Sequence, residues 1–143
     1  TAHMGIIKSA IGIGSLLHDG IGETIRVSLT DDPIKEIAAA KDILRCLGKR
    51  EGPDLIACPT CGRTRIDLVK TAKEVEAALS SVEKNIKVAV MGCVVNGPGE
   101  AQEADIGVAG GDGCAVLFKK GTVLRKVKEE DIVKELLLEI ENL

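Results

Sequence analysis

The sequence predicts an α/β (α+β) fold arranged in two parts. Short apolar runs of strand length alternate with amphipathic stretches of helical period, and charged, glycine and proline residues at 49–53 interrupt this alternation. A length of 143 residues suits one domain of ordinary size. The interruption instead favours two domains, over residues 1–50 and 54–143.

The first part is interpreted as a β/α unit. After an apolar stretch with glycines at residues 9–18, residues 25–29 alternate apolar and polar side chains, as a β-strand does. Asp32 is a good N-cap, Pro33 suits the first helical position and Gly48 provides a stop, which predicts a helix between them. The face of this helix predicted to pack holds Ile34, Ile37, Ala38, Lys41, Leu44 and Leu47.

The second part contains further strands and helices. The predicted elements are strands at residues 55–57 and 86–91, a helix at 67–81, a hairpin formed by 115–118 and 123–127, and a final helix with an acidic start at 129–131. Residues 96–113 are interpreted as a glycine-rich passage. The first two of these strands each run directly into a loop that carries cysteine.

The composition excludes several classes of partner. One Phe and no Tyr or Trp exclude recognition by base-stacking sheets, single-strand platforms and cation cages. A formal net charge of -3 argues against non-specific nucleic-acid binding, which requires a basic face. No apolar run approaches the roughly 18 to 20 residues that cross a membrane. We therefore expect neither a nucleic-acid nor a membrane partner.

Five cysteines require an explanation. An odd number cannot be fully paired within one chain, and no signal peptide precedes the first structured segment. We therefore expect a reducing, cytoplasmic compartment rather than a secreted disulfide framework. Cys46 and Cys114 are interpreted as packing residues, because a lone cysteine is usually buried.

Cys58, Cys61 and Cys93 are candidate metal ligands. Because the ends of neighbouring strands bring their loops together, the Cys58–Cys61 motif and Cys93 are expected to meet in space. Thiolates favour zinc, copper(I) or iron-sulfur clusters. A structural zinc ion is almost always held by four protein ligands, whereas three cysteines and a fourth ligand that can leave are typical of a catalytic cluster.

Two other interpretations of these cysteines stay open. The CPTC sequence at residues 58–61, after a strand and before a helix, also fits a thiol-disulfide redox pair. A structural zinc domain is the other alternative. Cys93 favours the cluster, because a dithiol enzyme needs no third thiol in a glycine-rich loop whose amides are exposed.

Three polar residues near the cysteines are weaker candidates. Glu100 follows Cys93 across two glycines and a proline, and its carboxylate is a candidate labile oxygen ligand for the same metal site. A plain surface carboxylate is the competing interpretation. For Asn96 and Arg63 the competing interpretations are a turn residue and a solvated charge.

Lys8, Ser9, Arg26 and Ser28 form a candidate diphosphate site in the first part. A lysine, an arginine and two hydroxyl groups near the loops of a β/α unit bind phosphate through charge and charge-assisted hydrogen bonds. The alternative is a set of solvated side chains on an exposed surface.

Four stretches together resemble a known family. The sequences ACPTCGR at residues 57–63 and MGCVVNGPGEA at 91–101 are similar to the carboxyl-terminal iron-sulfur domain of the 4-hydroxy-3-methylbut-2-enyl diphosphate synthase family of the non-mevalonate isoprenoid pathway. The sequences IKSAIGIG at 7–14 and GIGETIRVSL at 20–29 resemble the end of that family's catalytic barrel.

The resemblance implies a 4Fe-4S cluster held by Cys58, Cys61 and Cys93, with Glu100 on the fourth iron. It implies a reductive ring opening, in which the cyclic diphosphate of methylerythritol takes up two electrons, loses its ring oxygen as water and becomes the linear allylic diphosphate. The residues expected to bind this substrate are Lys8, Arg26, Ser28 and Asn96.

The resemblance also implies a fold and partners. A cluster domain of the sulfite or nitrite reductase type would follow the last β/α unit of a TIM barrel, with ferredoxin or flavodoxin as electron donor. Family members are head-to-tail homodimers, in which the cluster domain of one chain closes the barrel of the other. Because a complete barrel needs about 250 residues, we expect this chain to be a fragment that binds the cluster without turnover alone.

Overall fold

The structure is a computed structural model that describes residues 1–95 and 101–143. The chain divides into two compact units, Thr1–Glu51 and Gly52–Leu143. The overall class is mixed α/β, as predicted. No helix among the described residues is long and apolar enough to cross a membrane.

The first unit contains two helices, α1 (Ala2–His18) and α2 (Pro33–Cys46). The predicted capping of α2 is confirmed, because an Asp32 carboxylate oxygen accepts a hydrogen bond from the Ile34 N–H at 2.9 Å. Gly48 follows the helix with a φ of 65°, a left-handed conformation that glycine adopts without the steric cost of a side chain.

The face of α2 that packs differs from the predicted one. Val27, Ala39 and Ile43 form the buried core of this unit. Of the predicted face, Ile34 and Ile37 are 73% and 59% exposed. Which side of α2 is buried depends on the neighbouring segments. The buried residues pack against Ile13 of α1 and Leu29 of the following segment, and also against Ala40 and Leu47. Helix α1 is the helix that contacts α2.

The strand predicted at residues 25–29 is wrong: these residues are in no strand. A strand requires a ladder of backbone hydrogen bonds to a neighbour. Here the Leu29 N–H donates instead to the Glu36 Oε1 atom at 2.8 Å. Val27 is nevertheless buried, so the segment contributes to the core without ladder pairing.

The second unit is built on a five-stranded sheet in the order β1-β2-β3-β4-β5. The pairings β1–β2 and β2–β3 are parallel, and the pairings β3–β4 and β4–β5 are antiparallel. The strands are β1 (Asp54–Ala57), β2 (Lys87–Met91), β3 (Ile106–Gly111), β4 (Cys114–Lys119) and β5 (Thr122–Lys128). The helices are α3 (Leu68–Leu79) and α4 (Ile132–Glu141), the latter preceded by a 3-10 turn (Glu129–Asp131).

The two faces of this sheet carry different cores, because side chains alternate along each strand. On one face, strand residues such as Val88, Val108 and Leu117 pack against α3 and α4. On the other face, Ala89 and Phe118 pack with small residues of the passage that follows β2. The members of this second cluster are Ala89, Met91, Ala101, Ala104, Ala109 and Phe118.

Strand β3 is the element that the sequence pattern missed. It contains three glycines, and because glycine weakens a strand, its sequence pattern is typical of a loop. Gly107 is required by packing, because a Cβ atom there would lie 2.5 Å from Phe118 Cζ and 2.8 Å from Ala89 Cβ. The strand lies between β2 and β4, so it joins the parallel and antiparallel parts of the sheet.

Candidate metal centre

The first two cysteine-bearing loops leave the sheet side by side. Ala57 at the end of β1 pairs with Val90 of β2, and the Cys58 N–H donates to the Val90 carbonyl at 3.3 Å. Cys93 lies two residues beyond the end of β2, at Met91. The parallel register therefore brings Cys58 and Cys93 to the same edge of the sheet, as expected from their strand ends.

Gly92 connects the two loops through its backbone. Its N–H donates to Cys58 Sγ at 3.1 Å, and its carbonyl accepts from the Arg65 N–H at 2.9 Å. The first of these bonds fixes the Cys58 sulfur beside the backbone that follows β2. One residue of the β2 end thus holds both ends of the loop that contains the CPTC motif.

Cys61 is exposed and has its own set of donors. The Thr64 hydroxyl donates to Cys61 Sγ at 4.0 Å, while its oxygen accepts from the Cys61 N–H at 3.1 Å. The pKa of the Cys61 thiol is lowered, most strongly by the Arg63 backbone N–H and further by the Thr64 hydroxyl and the Arg63 guanidinium. Local hydrogen bonding therefore favours the thiolate, which is the form that binds metal.

The three thiols differ in their access to solvent. Cys93 is buried, at 9% exposed, whereas Cys58 is half-buried and packs against both hydrophobic clusters of the sheet. Cys61 lies on the solvent side. The site therefore has one face in the protein interior and one at the surface.

The chemistry of the three thiols is compatible with an iron-sulfur cluster. The thiolates of a cluster each bind a different iron, and its sulfurs accept hydrogen bonds from nearby amides. Cys58, Cys61 and Cys93 are free thiols, and Cys58 and Cys61 have N–H and hydroxyl donors. Among the described side chains, no three His, Cys, Asp or Glu residues are grouped so as to hold a metal ion.

The position of the CPTC loop does not favour the thiol-disulfide interpretation. In such enzymes the reactive thiolate is stabilised at a helix N-terminus. Here α3 begins at Leu68, with Asp67 as its N-cap. Cys61 therefore lies in a separate turn before the helix. Its thiolate is stabilised by Arg63 and Thr64.

Cys46 and Cys114 occupy other places. Cys46 is the last residue of α2 and is exposed, so the prediction that it packs is wrong, because the core of that unit forms around Ala39 and Ile43. Cys114 is half-buried at the start of β4, opposite Gly111.

The remaining predicted site residues lie in the first unit or outside the described part of the chain. Glu100 and Asn96 lie outside the described residues. Lys8 is on α1, and Arg26 and Ser28 lie in the irregular segment that follows; all three are exposed. A Cβ atom on Gly5 would lie 2.8 Å from Leu29 Cδ2, so this segment runs beside the first turns of α1.

A groove of about 580 Å³ lies elsewhere in the second unit, away from these cysteines. It runs between α3 and the start of α4, and four carboxylates, from Asp67, Glu74, Glu129 and Glu130, line it together with two lysines. It presents no thiol and carries no part of the candidate site.

Gly92 and Thr64 are the site residues that sequence reasoning missed. Their signal in the sequence is their position, one residue before Cys93 and three residues after Cys61. A glycine and a threonine at such places are common in ordinary turns, so their contacts become evident only in the structure.

Comparison with known proteins gives the same family over both units. Residues 54–142 match the family model described as the GcpE protein C-terminal domain. Residues 1–41 match the model described as the GcpE TIM-barrel domain.

Individual relatives agree with this match. The chain is 64% identical to a protein of Clostridium perfringens and 63% identical to one of Clostridium tetani, over all of this chain and 41% of each relative. A protein of Caldanaerobacter subterraneus is 61% identical, again over all of this chain and 41% of the relative. All three are named 4-hydroxy-3-methylbut-2-en-1-yl diphosphate synthase (flavodoxin), and the chain spans about two fifths of their length. The paired cysteine loops, the sheet that carries them and these matches lead to one conclusion: the chain belongs to the GcpE family of diphosphate synthases.

Proposed function

We propose that this chain provides the cluster-binding part of an enzyme that reduces 2-C-methyl-D-erythritol 2,4-cyclodiphosphate to 4-hydroxy-3-methylbut-2-enyl diphosphate. The observation that carries the proposal is the hydrogen bond from the Gly92 N–H to Cys58 Sγ, which joins the CPTC loop to the strand end before Cys93. The names of the relatives support the same reaction product.

The cofactor in this proposal is a 4Fe-4S cluster held by Cys58, Cys61 and Cys93, with the Glu100 carboxylate as a labile fourth ligand. When bound, such a cluster supplies electrons one at a time and offers a Lewis-acidic iron to the departing oxygen. Protein side chains cannot supply electrons in this way, which is why a reductive ring opening needs the cofactor.

The chain's own residues prepare this chemistry. The Arg63 N–H and the Thr64 hydroxyl favour the Cys61 thiolate by lowering its pKa, and the Gly92 N–H donates a hydrogen bond to the Cys58 sulfur. The burial of Cys93 keeps water from one side of the site. Lys8, Arg26, Ser28 and Asn96 would hold the diphosphate through charge and hydrogen bonds.

The proposal extends to organisation and partners. The first unit would be the end of a (β/α)8 barrel, at residues 1–50, and the second a cluster domain of the sulfite or nitrite reductase type, at 54–143. The donor would be flavodoxin, as in the names of the relatives, or ferredoxin. A head-to-tail homodimer in the cytoplasm would then place each cluster domain opposite the partner's barrel.

The test is anaerobic reconstitution of the purified chain with iron and sulfide. We expect about four irons and four sulfides per chain, with the visible absorption of a cluster. Cys93→Ser should lose most of this iron, whereas Cys46→Ser, which changes an exposed cysteine of α2, should retain it. With a chemical reductant and the cyclic diphosphate, the reconstituted chain alone should form no product.

The outcomes separate the candidate functions. Equal iron in Cys93→Ser and the parent chain would contradict the ligand assignment. Disulfide reduction that survives Cys93→Ser, without iron uptake, would favour the thiol-disulfide module. Stoichiometric zinc with unfolding by a chelator would favour the structural zinc domain.

A further inference from the structure

We propose that Thr64 is a positioning residue of the metal centre: with Gly92, it fixes the Cys61 loop against the end of β2 and raises the reduction potential of the bound cluster. This inference rests on the proposed function for its effect on the potential. Its effect on the loop can be measured without any metal.

Thr64 closes the turn that contains Cys61. Its side-chain oxygen accepts from the Cys61 N–H at 3.1 Å and its hydroxyl donates to Cys61 Sγ at 4.0 Å. Its backbone N–H donates to the Cys61 carbonyl at 3.1 Å. Three polar groups of Cys61, namely the amide, the carbonyl and the sulfur, are thus all bonded to one residue.

Thr64 also packs directly on Gly92. A Cβ atom on Gly92 would lie 3.1 Å from both the Cγ2 and the Oγ1 atoms of Thr64, and 3.2 Å from Leu68 Cδ2. A side chain at position 92 would therefore fit tightly, and the Thr64 and Leu68 side chains would have to shift by a few tenths of an ångström to accept it. The Thr64 methyl and hydroxyl groups occupy the place that a side chain would take.

The contact continues into the sheet. The Gly92 carbonyl oxygen would lie 2.8 Å from a Cβ atom on Gly110 of β3, and the same carbonyl accepts the Arg65 N–H. Thr64, Gly92 and Gly110 are consequently in successive close contact, from the Cys61 loop through the end of β2 to β3. We call these three residues the Thr64 stack.

This arrangement has an electronic consequence. Hydrogen bonds to the sulfurs of an iron-sulfur cluster are among the factors that set its reduction potential. A donor withdraws electron density from the thiolate, which stabilises the reduced state and raises the potential. The Gly92 donor belongs to the backbone, whereas the Thr64 donor belongs to a side chain and can be removed by substitution.

The first experiment compares Thr64→Val with Thr64→Ser in the reconstituted chain by redox titration. Valine keeps the shape of threonine without its hydroxyl, so we expect a lower midpoint potential. Serine keeps the hydroxyl, so we expect a potential close to that of the parent chain. Thr60→Val, the same change at an exposed position of the same loop, is the matched control and should leave the potential unchanged.

A purely structural role would not produce this pattern. If Thr64→Val and the parent chain had equal midpoint potentials, the effect of Thr64 on the potential would be excluded. If Thr64→Ser shifted as far as Thr64→Val, the hydroxyl would not be the cause, and the proposal would also fail.

The second experiment needs no cluster. In the metal-free chain, amide hydrogen exchange of Cys61 should become about five to ten times faster in Thr64→Val, because one hydrogen bond of ordinary net strength is lost. Gly92→Ala should accelerate exchange across residues 61–65. Gly62→Ala, which adds a Cβ atom with nothing within 4 Å in the same loop, should not.

These results distinguish the inference from the function on which it rests. A parent chain that takes up no iron and sulfide contradicts the proposed function, yet the exchange measurements still decide whether the Thr64 stack holds the loop. Unchanged exchange in both Thr64→Val and Gly92→Ala would overturn the inference, whatever the chain binds.

Discussion

Gly107 and Phe118 are opposite each other in the β3–β4 ladder, and the Phe118 ring occupies the space that a side chain on Gly107 would need. A Cβ atom on Gly107 would lie 2.5 Å from Phe118 Cζ and 2.9 Å from the Ala89 carbonyl oxygen. The only aromatic side chain of the protein is therefore accommodated by a glycine at the centre of the sheet.

We expect Gly107→Ala to destabilise the second unit by about 1–3 kcal/mol, the usual cost of forcing extra atoms into a packed core. Denaturant unfolding followed by circular dichroism measures this change. Gly62→Ala is the control, because a Cβ atom there meets no neighbour. Equal stability of the two variants would show that the Gly107 contact relaxes without cost.

Helix α4 offers a matched pair of leucines. Leu136 is fully buried and Leu138 is 43% exposed. Leu136→Ala should reduce the free energy of unfolding by about 2–5 kcal/mol through lost burial and a residual cavity. Leu138→Ala should change it by less than about 1 kcal/mol, as is usual at the surface. Similar losses in the two variants would mean that α4 does not pack on the sheet through Leu136.

The N-cap of α2 gives a prediction for the first unit. Asp32→Ala removes the acceptor for the Ile34 N–H and should cost about 0.5–2 kcal/mol in stability. Asp32→Asn keeps a side-chain oxygen at the cap and should recover most of this loss. Thermal unfolding followed by the helical circular dichroism signal tests both variants. An Asp32→Ala variant as stable as the parent chain would contradict a stabilising role for this cap.

The lowered pKa of the Cys61 thiol predicts a pH dependence in the metal-free chain. Only the thiolate is alkylated rapidly, so iodoacetamide should modify Cys61 at lower pH in the folded chain than in the same chain unfolded by urea. The site of modification is identified by mass spectrometry. Because the folded pKa is the lower one, the associated stability is present above the unfolded pKa and is lost as the pH falls through the folded pKa.

Arg63→Ala tests the cause of this shift. The largest contribution comes from the Arg63 backbone N–H, which alanine retains. The alkylation profile of Cys61 should therefore move only part of the way toward that of the unfolded chain. A complete shift would assign the effect to the guanidinium instead.

Much of the fold was predictable because its signals are local. Asp32 and Pro33 specify the start of α2 through the chemistry of a helix end. Lys120 and Gly121 both have positive φ at the predicted hairpin turn, which β4 and β5 flank. Each of these features depends on residues that are close in the chain.

The errors have a common physical origin in contacts distant along the chain. The buried side of α2 depends on α1 and Val27, so the pattern of α2 alone pointed to Ile34 and Ile37. β3 was missed because its glycines are explained by Phe118 and Ala89, which belong to other strands. Ladder pairing at residues 25–29 could not be decided from alternation alone.

The sequence by itself determined the chemistry of the candidate site, since the spacing of Cys58 and Cys61 and the position of Cys93 at a strand end are properties of the chain. Only the tertiary structure decided how the two cysteine loops are joined. The bond from the Gly92 N–H to Cys58 Sγ connects residues 34 positions apart. The bond from the Arg65 N–H to the Gly92 carbonyl joins the other end of the CPTC loop to the same residue. They form because the parallel pairing of β1 and β2 brings those backbones together.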